Sequence, residues 1–137
     1  MTDLELMQLA EEARKFSYCP YSHFAVGAAL ISKSGKVYTG CNVESSSYTP
    51  TNCAERTAVF KAISEGESNF EAIAVIGAPE GETGKFCAPC GVCRQVLREF
   101  CEPKTFRVLL GTTDSVKAYT LAELLPISFG PDDLKGE

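Results

Sequence analysis

Cys53-Ala54-Glu55 and, further along, Pro89-Cys90-Gly91-Val92-Cys93 are residue types suited to metal-assisted hydrolysis. Cys90 and Cys93 stand at the C-x-x-C spacing that zinc favours, and Cys53 offers a third sulfur. A zinc ion with three protein ligands keeps a fourth position open for water, and a nearby carboxylate such as Glu55 can move that water's protons. Cys87 offers a fourth sulfur, so a closed four-thiolate site that only braces the fold is the competing reading. Pro89 biases Ala88 away from helix, which sets Cys87 off the helical turn carrying Cys90 and Cys93. Cys19, Cys41 and Cys101 have no ligand spacing and read as small buried hydrophobes.

Two of the surrounding residues have a bland and a functional reading. An acid such as Glu55 in a first helical turn is favoured by the helix dipole alone. Beside a zinc ligand it becomes a candidate proton carrier. Arg56 could be a solvated helix residue, or it could draw charge off three thiolates, whose complex with Zn²⁺ carries a net negative charge. His23 is the only histidine and reads as a surface or hydrogen-bonded residue.

The elements that must position these residues follow from periodicity. Thr2-Asp3-Leu4-Glu5 has capping-box spacing, and Leu6, Leu9, Ala10 and Ala13 share a face of a helix running to about Phe16. Tyr18 to Ser22 breaks it. Phe24 to Ile31 and Lys36 to Asn42 read as a hairpin around Gly35, and Ser45 to Pro50 as a loop. A second helix begins near Cys53, with Thr51 or Asn52 as its cap and Gly66 as its stop. Ala72 to Gly77 is a strand, followed by a surface loop from Pro79 to Lys85. A third helix runs from Gly91 to about Cys101, before Pro103. Phe106 to Gly111 and Val116 to Tyr119 are strands, and Thr120 to Glu123 opens a short helix stopped by Pro126. The order α-β-β-α-β-α-β-β-α predicts one α/β domain, with a parallel pair in its central β-α-β unit and an antiparallel hairpin before it. Cys53 and the Cys90–Cys93 pair thus stand at two helix starts, where free amides and dipoles favour thiolates.

Composition narrows the partners. The chain's 137 residues suffice for a hydrophobic core without metal, so an ion would have another task. The formal charge is −5 with no basic run, which argues against a phosphate backbone and for a small, weakly charged substrate. No apolar run approaches the roughly 18 residues of a membrane helix. The start of the chain lacks signal-peptide features, and seven cysteines fit a reducing compartment, with cytoplasm as the expectation.

Beyond Cys53-Ala-Glu55 and Pro89-Cys90-x-x-Cys93, the chain carries Tyr18-Cys-Pro-Tyr-Ser-His-Phe24-Ala-Val-Gly-Ala-Ala29, Gly40-Cys-Asn-Val-Glu44, Tyr48, Arg94-Gln95 and Ser128-Phe129-Gly130. Jointly these resemble the zinc nucleoside deaminases, and in particular the small homotetrameric cytidine deaminases, from about residue 16 onward. The resemblance implies a three-layer α/β/α sandwich with a mixed, mostly five-stranded sheet, as a single catalytic domain over residues 1–137. It implies one catalytic Zn²⁺ per subunit on Cys53, Cys90 and Cys93, which leaves Cys87 out. The implied reaction is hydrolytic deamination of cytidine and deoxycytidine in pyrimidine salvage, by zinc-bound hydroxide with Glu55 as proton shuttle. Phe24 would stack on the pyrimidine, Asn42 and Glu44 would bind the ribose, and the backbone N–H of Ala54 would bind O2. Tyr48 and Phe129 would reach a neighbouring subunit's site in a homotetramer. The remaining alternatives are an aminoacyl-nucleoside deaminase, a polynucleotide cytosine deaminase and a structural zinc module closed by Cys87.

Overall fold

The computed structural model describes residues 1–136. Helix α1 (Asp3–Ala13) opens on the expected capping box, in which Glu5 N donates to Thr2 Oγ1 and Thr2 N donates to Glu5 Oε1. It buries Leu6, Met7, Ala10 and Ala13, while Leu9 packs at the rim. A 3-10 turn over Arg14–Phe16 replaces the last helical turn expected from sequence.

Strands β1 (Phe24–Ser32) and β2 (Val37–Cys41) form the antiparallel hairpin, with Gly35 at φ +94° in its turn. They are followed by α2 (Ala54–Ser64), β3 (Phe70–Pro79), α3 (Gly91–Phe100), β4 (Arg107–Gly111) and β5 (Val116–Thr120). Two short helices, α4 (Leu121–Leu124) and α5 (Pro131–Lys135), close the chain. The five strands lie in the order β2-β1-β3-β4-β5, and β3–β4 is the one parallel pair in a mixed sheet. β3 is longer than its apolar run, because Phe70 pairs with Ser32 and Ala78 with Ala25 of β1.

Both faces of the sheet are covered, which gives three layers. On one face Leu6, Met7 and Ala10 of α1 meet Ala29, Ala74, Ile76 and Leu109. On the other, Ala58, Val59, Leu97 and Leu121 meet Leu30, Ile73, Val75 and Leu110. Alternate β3 residues therefore point into different core layers, which is why the strand reads as one unbroken apolar run. Two glycines set the helix heights. A Cβ on Gly27 would lie 1.9 Å from the Ala10 carbonyl oxygen of α1. One on Gly40 would lie 2.5 Å from the Ala54 carbonyl oxygen and 2.6 Å from Ala58 N, so α2 rests directly on the β2 backbone beside the site.

Candidate metal centre and active site

Cys53 is the N-cap residue of α2 and Cys90 that of α3, each with extended backbone and neither making a side-chain capping bond. The sequence favoured Thr51 or Asn52 as the α2 cap. Instead Thr51 Oγ1 accepts from Ser45 N, and Asn52 Nδ2 donates to Thr57 Oγ1, which leaves the cap position to the thiol. The first amides of both helices have no partner four residues back within their helix, and their dipoles add positive potential at the two thiol-bearing helix starts.

The sulfurs of Cys53, Cys90 and Cys93 lie within 4.8 Å of one another, with 3.8 Å between Cys53 Sγ and Cys90 Sγ. A tetrahedral ion with sulfur bonds of roughly 2.3 Å requires sulfurs about 3.8 Å apart, so the donor set fits zinc in both type and spacing. Cys87 is not a member of this group. Its sulfur lies 3.0 Å from where a Cβ on Gly77 would stand, a point equally close to the Phe24 ring. The closed four-thiolate alternative therefore lacks its fourth ligand.

The electrostatics of the cluster are polarised. A hydrogen bond from the Cys93 thiol, with help from Arg56 and Cys90, pulls Cys53 down to about 5 despite its burial. Cys93, whose proton bridges to Cys53, is raised for the same reason. Arg56 Nη2 donates to Cys53 Sγ at 3.3 Å, while its buried Nε has no partner among the described residues. Glu55, in the first turn of α2, is 4% exposed. Burial pushes its carboxyl up to about 7, and the Cys53 charge adds to the effect against its own backbone amide. Burial and the Glu55 charge likewise raise Cys87.

Phe24, Asn42, Glu44, Tyr48 and Ala54 gather at the same end of the sheet, where β1 begins and β2 and β3 end. Phe24 is the first residue of β1 and part-exposed. Asn42 follows β2 and is buried; its Nδ2 donates to the Phe24 carbonyl at 2.8 Å and its Oδ1 accepts from Val26 N at 2.9 Å. Glu44 Oε1 accepts from Tyr21 N and Ser22 N, and Oε2 accepts from the Ser22 hydroxyl. The Ser22 hydroxyl holds the Glu44 carboxyl below the ordinary range. Glu44 and Tyr48 line a cavity of about 400 Å³ with Tyr21, Ser22 and Thr51, and Tyr21 meets Tyr48 edge-on at 6.0 Å. Ala54 is the first residue of α2 and fully buried. Phe129 lies outside both groups, its side chain exposed and its carbonyl accepting from Gln95 Nε2 at 2.8 Å.

Tyr21, Ser22 and Thr51 as pocket residues, and Arg94 as a brace of the Pro89 carbonyl, escaped the sequence reading. The Ser22–Phe24 and Cys93–Arg94 adjacencies were visible signals for two of them; the partners were not.

Residues 1–109 match the family described as cytidine and deoxycytidylate deaminase zinc-binding region. A cytidine deaminase of Sporosarcina psychrophila is 45% identical, over 95% of this chain and 93% of that protein. One from Halalkalibacterium halodurans is 47% identical, over 94% and 95%. The crystal structure of a cytidine deaminase from Burkholderia pseudomallei superposes with a TM-score of 0.84 at 46% identity, covering 94% of this chain and all of that one. These matches place the chain among the zinc-dependent hydrolases, and the mixed five-stranded sheet and three sulfurs spaced for zinc agree with that class. Within that class, the chain belongs to the cytidine and deoxycytidylate deaminase family.

Proposed function

We propose that the chain, acting as one catalytic unit, converts cytidine and deoxycytidine with water to uridine and deoxyuridine plus ammonia, in cytoplasmic pyrimidine salvage. The observation that carries this reading is a buried carboxyl, Glu55, at the helix start that presents one of three sulfurs spaced for zinc. The relatives' shared name supports the choice of substrate.

Cys53, Cys90 and Cys93 would hold the ion, which supplies a Lewis acid that activates water for attack on C4 of the ring. Glu55 is suited to carry the protons, because its buried carboxyl lies in the first turn of α2, just after the Cys53 ligand, where a carboxyl group can accept a proton and return it. It takes one proton from the attacking water and passes it to N3 as the C4–O bond forms; it then moves the remaining proton, from the new C4 hydroxyl, to the amine, so that C4=O forms, the C4–N bond breaks and ammonia leaves. Arg56, donating to Cys53 Sγ, offsets the negative charge that three thiolates bring.

Phe24 stacks on the pyrimidine, and the Ala54 N–H, unpaired at a helix start, binds O2. After its bonds to the Phe24 carbonyl and Val26 N, Asn42 keeps one N–H and one lone pair for the ribose. Glu44, held ionised by Ser22, accepts from ribose hydroxyls and repels a 5′-phosphate. Tyr48 and Phe129, both exposed on the isolated chain, reach a neighbouring subunit's pocket in a homotetramer.

Ammonia release from cytidine, deoxycytidine, cytosine, cytidine monophosphate and an aminoacyl-nucleoside, with zinc stoichiometry on the same sample, tests the assignment. The two free nucleosides are expected to react and the nucleotide to be rejected; inert nucleosides on a zinc-loaded protein would overturn it. Glu55→Gln is expected to keep the zinc and lose at least roughly a hundredfold in turnover; near-normal turnover removes Glu55 from the mechanism.

A further inference from the structure

Helix α3 grips two stretches of chain, the peptide just before Cys90 and the C-terminal stretch from Leu124 to Asp132. Arg94 Nε donates to the Pro89 carbonyl at 2.7 Å, and Arg94 Nη1 donates to the Leu124 carbonyl at 2.6 Å. One turn on, Arg98 Nε donates to Ser128 Oγ at 2.9 Å and Nη2 donates to Asp132 Oδ1 at 2.7 Å. Gln95 holds the Phe129 carbonyl between them. Gly130 is so close that a Cβ there would stand 2.2 Å from Arg98 Nη1. Within this latched stretch Ile127 is fully exposed at φ +50°. A β-branched residue keeps that conformation only when its surroundings impose it. The segment from Leu124 to Asp132 is therefore shaped by α3 and not by its own preferences.

Pro89 immediately precedes Cys90, so the guanidinium that fixes the peptide before one sulfur also fixes the end of α4. We propose that Arg94 is a positioning residue that bridges the Pro89–Cys90 peptide and Leu124, so that metal retention and the order of the C-terminal segment form one coupled equilibrium. The inference rests on the reading of Cys53, Cys90 and Cys93 as metal ligands and is independent of which nucleoside is deaminated. Coupling of this kind is reciprocal: if the bridge helps hold the ion, the ion must help hold the segment. Lysine cannot replace the bridge, because a single ammonium lacks the planar fork that reaches two carbonyls at once.

The test uses the zinc-loaded full chain in chelator competition, with Arg94→Lys compared against the exposed control Glu99→Ala. Arg94→Lys is expected to bind zinc on the order of tenfold more weakly, the size of effect typical for groups that orient metal ligands, while Glu99→Ala matches wild type. In parallel, hydrogen exchange follows two amides bonded within the latched stretch, Leu125 N to the Leu121 carbonyl and Gly130 N to Asp133 Oδ2. Their exchange in wild type should quicken when zinc is removed; in Arg94→Lys it should be fast with or without the ion. Wild-type zinc affinity in Arg94→Lys, or exchange at these amides that ignores zinc in wild type, overturns the proposal. If Arg94→Lys does not fold, the wild-type exchange comparison decides alone. A wild-type chain that binds no zinc overturns the ligand assignment as well, and cytidine turnover measured alongside separates either failure from that of the proposed function.

Discussion

Glu55 carries a pH signature that stability measurements on the metal-free chain can read. Its folded-state value of about 7 lies well above its ordinary 4.5. Between those values the folded metal-free chain keeps a proton that the unfolded chain releases, so this group's contribution to stability falls as pH rises through the window. Urea midpoints of metal-free wild type, measured relative to Glu55→Gln, are expected to decline from about pH 4.5 to 7; parallel profiles would show that burial does not act on this carboxyl. Cys87→Ser should retain a full complement of zinc by metal analysis, since its sulfur faces Gly77 and Phe24 rather than the ligand group; lost metal would restore the closed-site alternative. At this scale the Cys53-Ala-Glu55-Arg56 run and the Cys90-x-x-Cys93 pair could be picked out as candidates because each lies within one helical turn, whereas a three-sulfur set without Cys87 was implied only by the resemblance. The bonds of Asn42 to Val26 and of Arg94 to Leu124 were not legible, because nothing in local spacing pairs residues from different elements.

Helix α2 owes its placement to a position with no side chain. At Gly40 a Cβ would meet two backbone atoms of α2, the Ala54 carbonyl oxygen and Ala58 N, and neither can turn aside as a side-chain tip could. Gly40→Ala is therefore expected to cost about 1–3 kcal/mol by denaturant unfolding, the usual penalty for overpacking, and to weaken zinc binding by shifting Cys53. An unchanged midpoint would mean that the helix can lift at no cost. The hairpin, the parallel β3–β4 pair and every helix longer than two turns could be read from hydrophobic periodicity and capping. The five-residue α5 could not, because so short a helix has no periodic face. The α2 cap was misassigned for a different reason: polar caps are common, and Thr51 and Asn52 were engaged elsewhere by contacts the sequence does not display.

The whole molecule leaves Phe60, Phe86, Val92, Ile127 and Phe129 substantially exposed, more large apolar side chains than one small chain needs at its surface. The proposed homotetramer gives them a use. Sedimentation analysis is expected to show a tetramer. Phe129→Ala is expected to keep its zinc and raise KM, since the ring would serve a neighbour's pocket; a monomeric, fully active protein would refute both expectations.

The bare helix starts at Cys53 and Cys90 have a consequence for the lifetime of the protein. α2 and α3 are separated in sequence by the whole of β3, yet their opening residues present sulfur to the same point. An ion there clasps two distant stretches of chain and finds its full set of donors only when both are folded. Ligand that favours the native state in this way raises stability with its own free concentration. The melting point thus becomes a gauge of zinc supply, rising with the free ion above the value that the core alone supports.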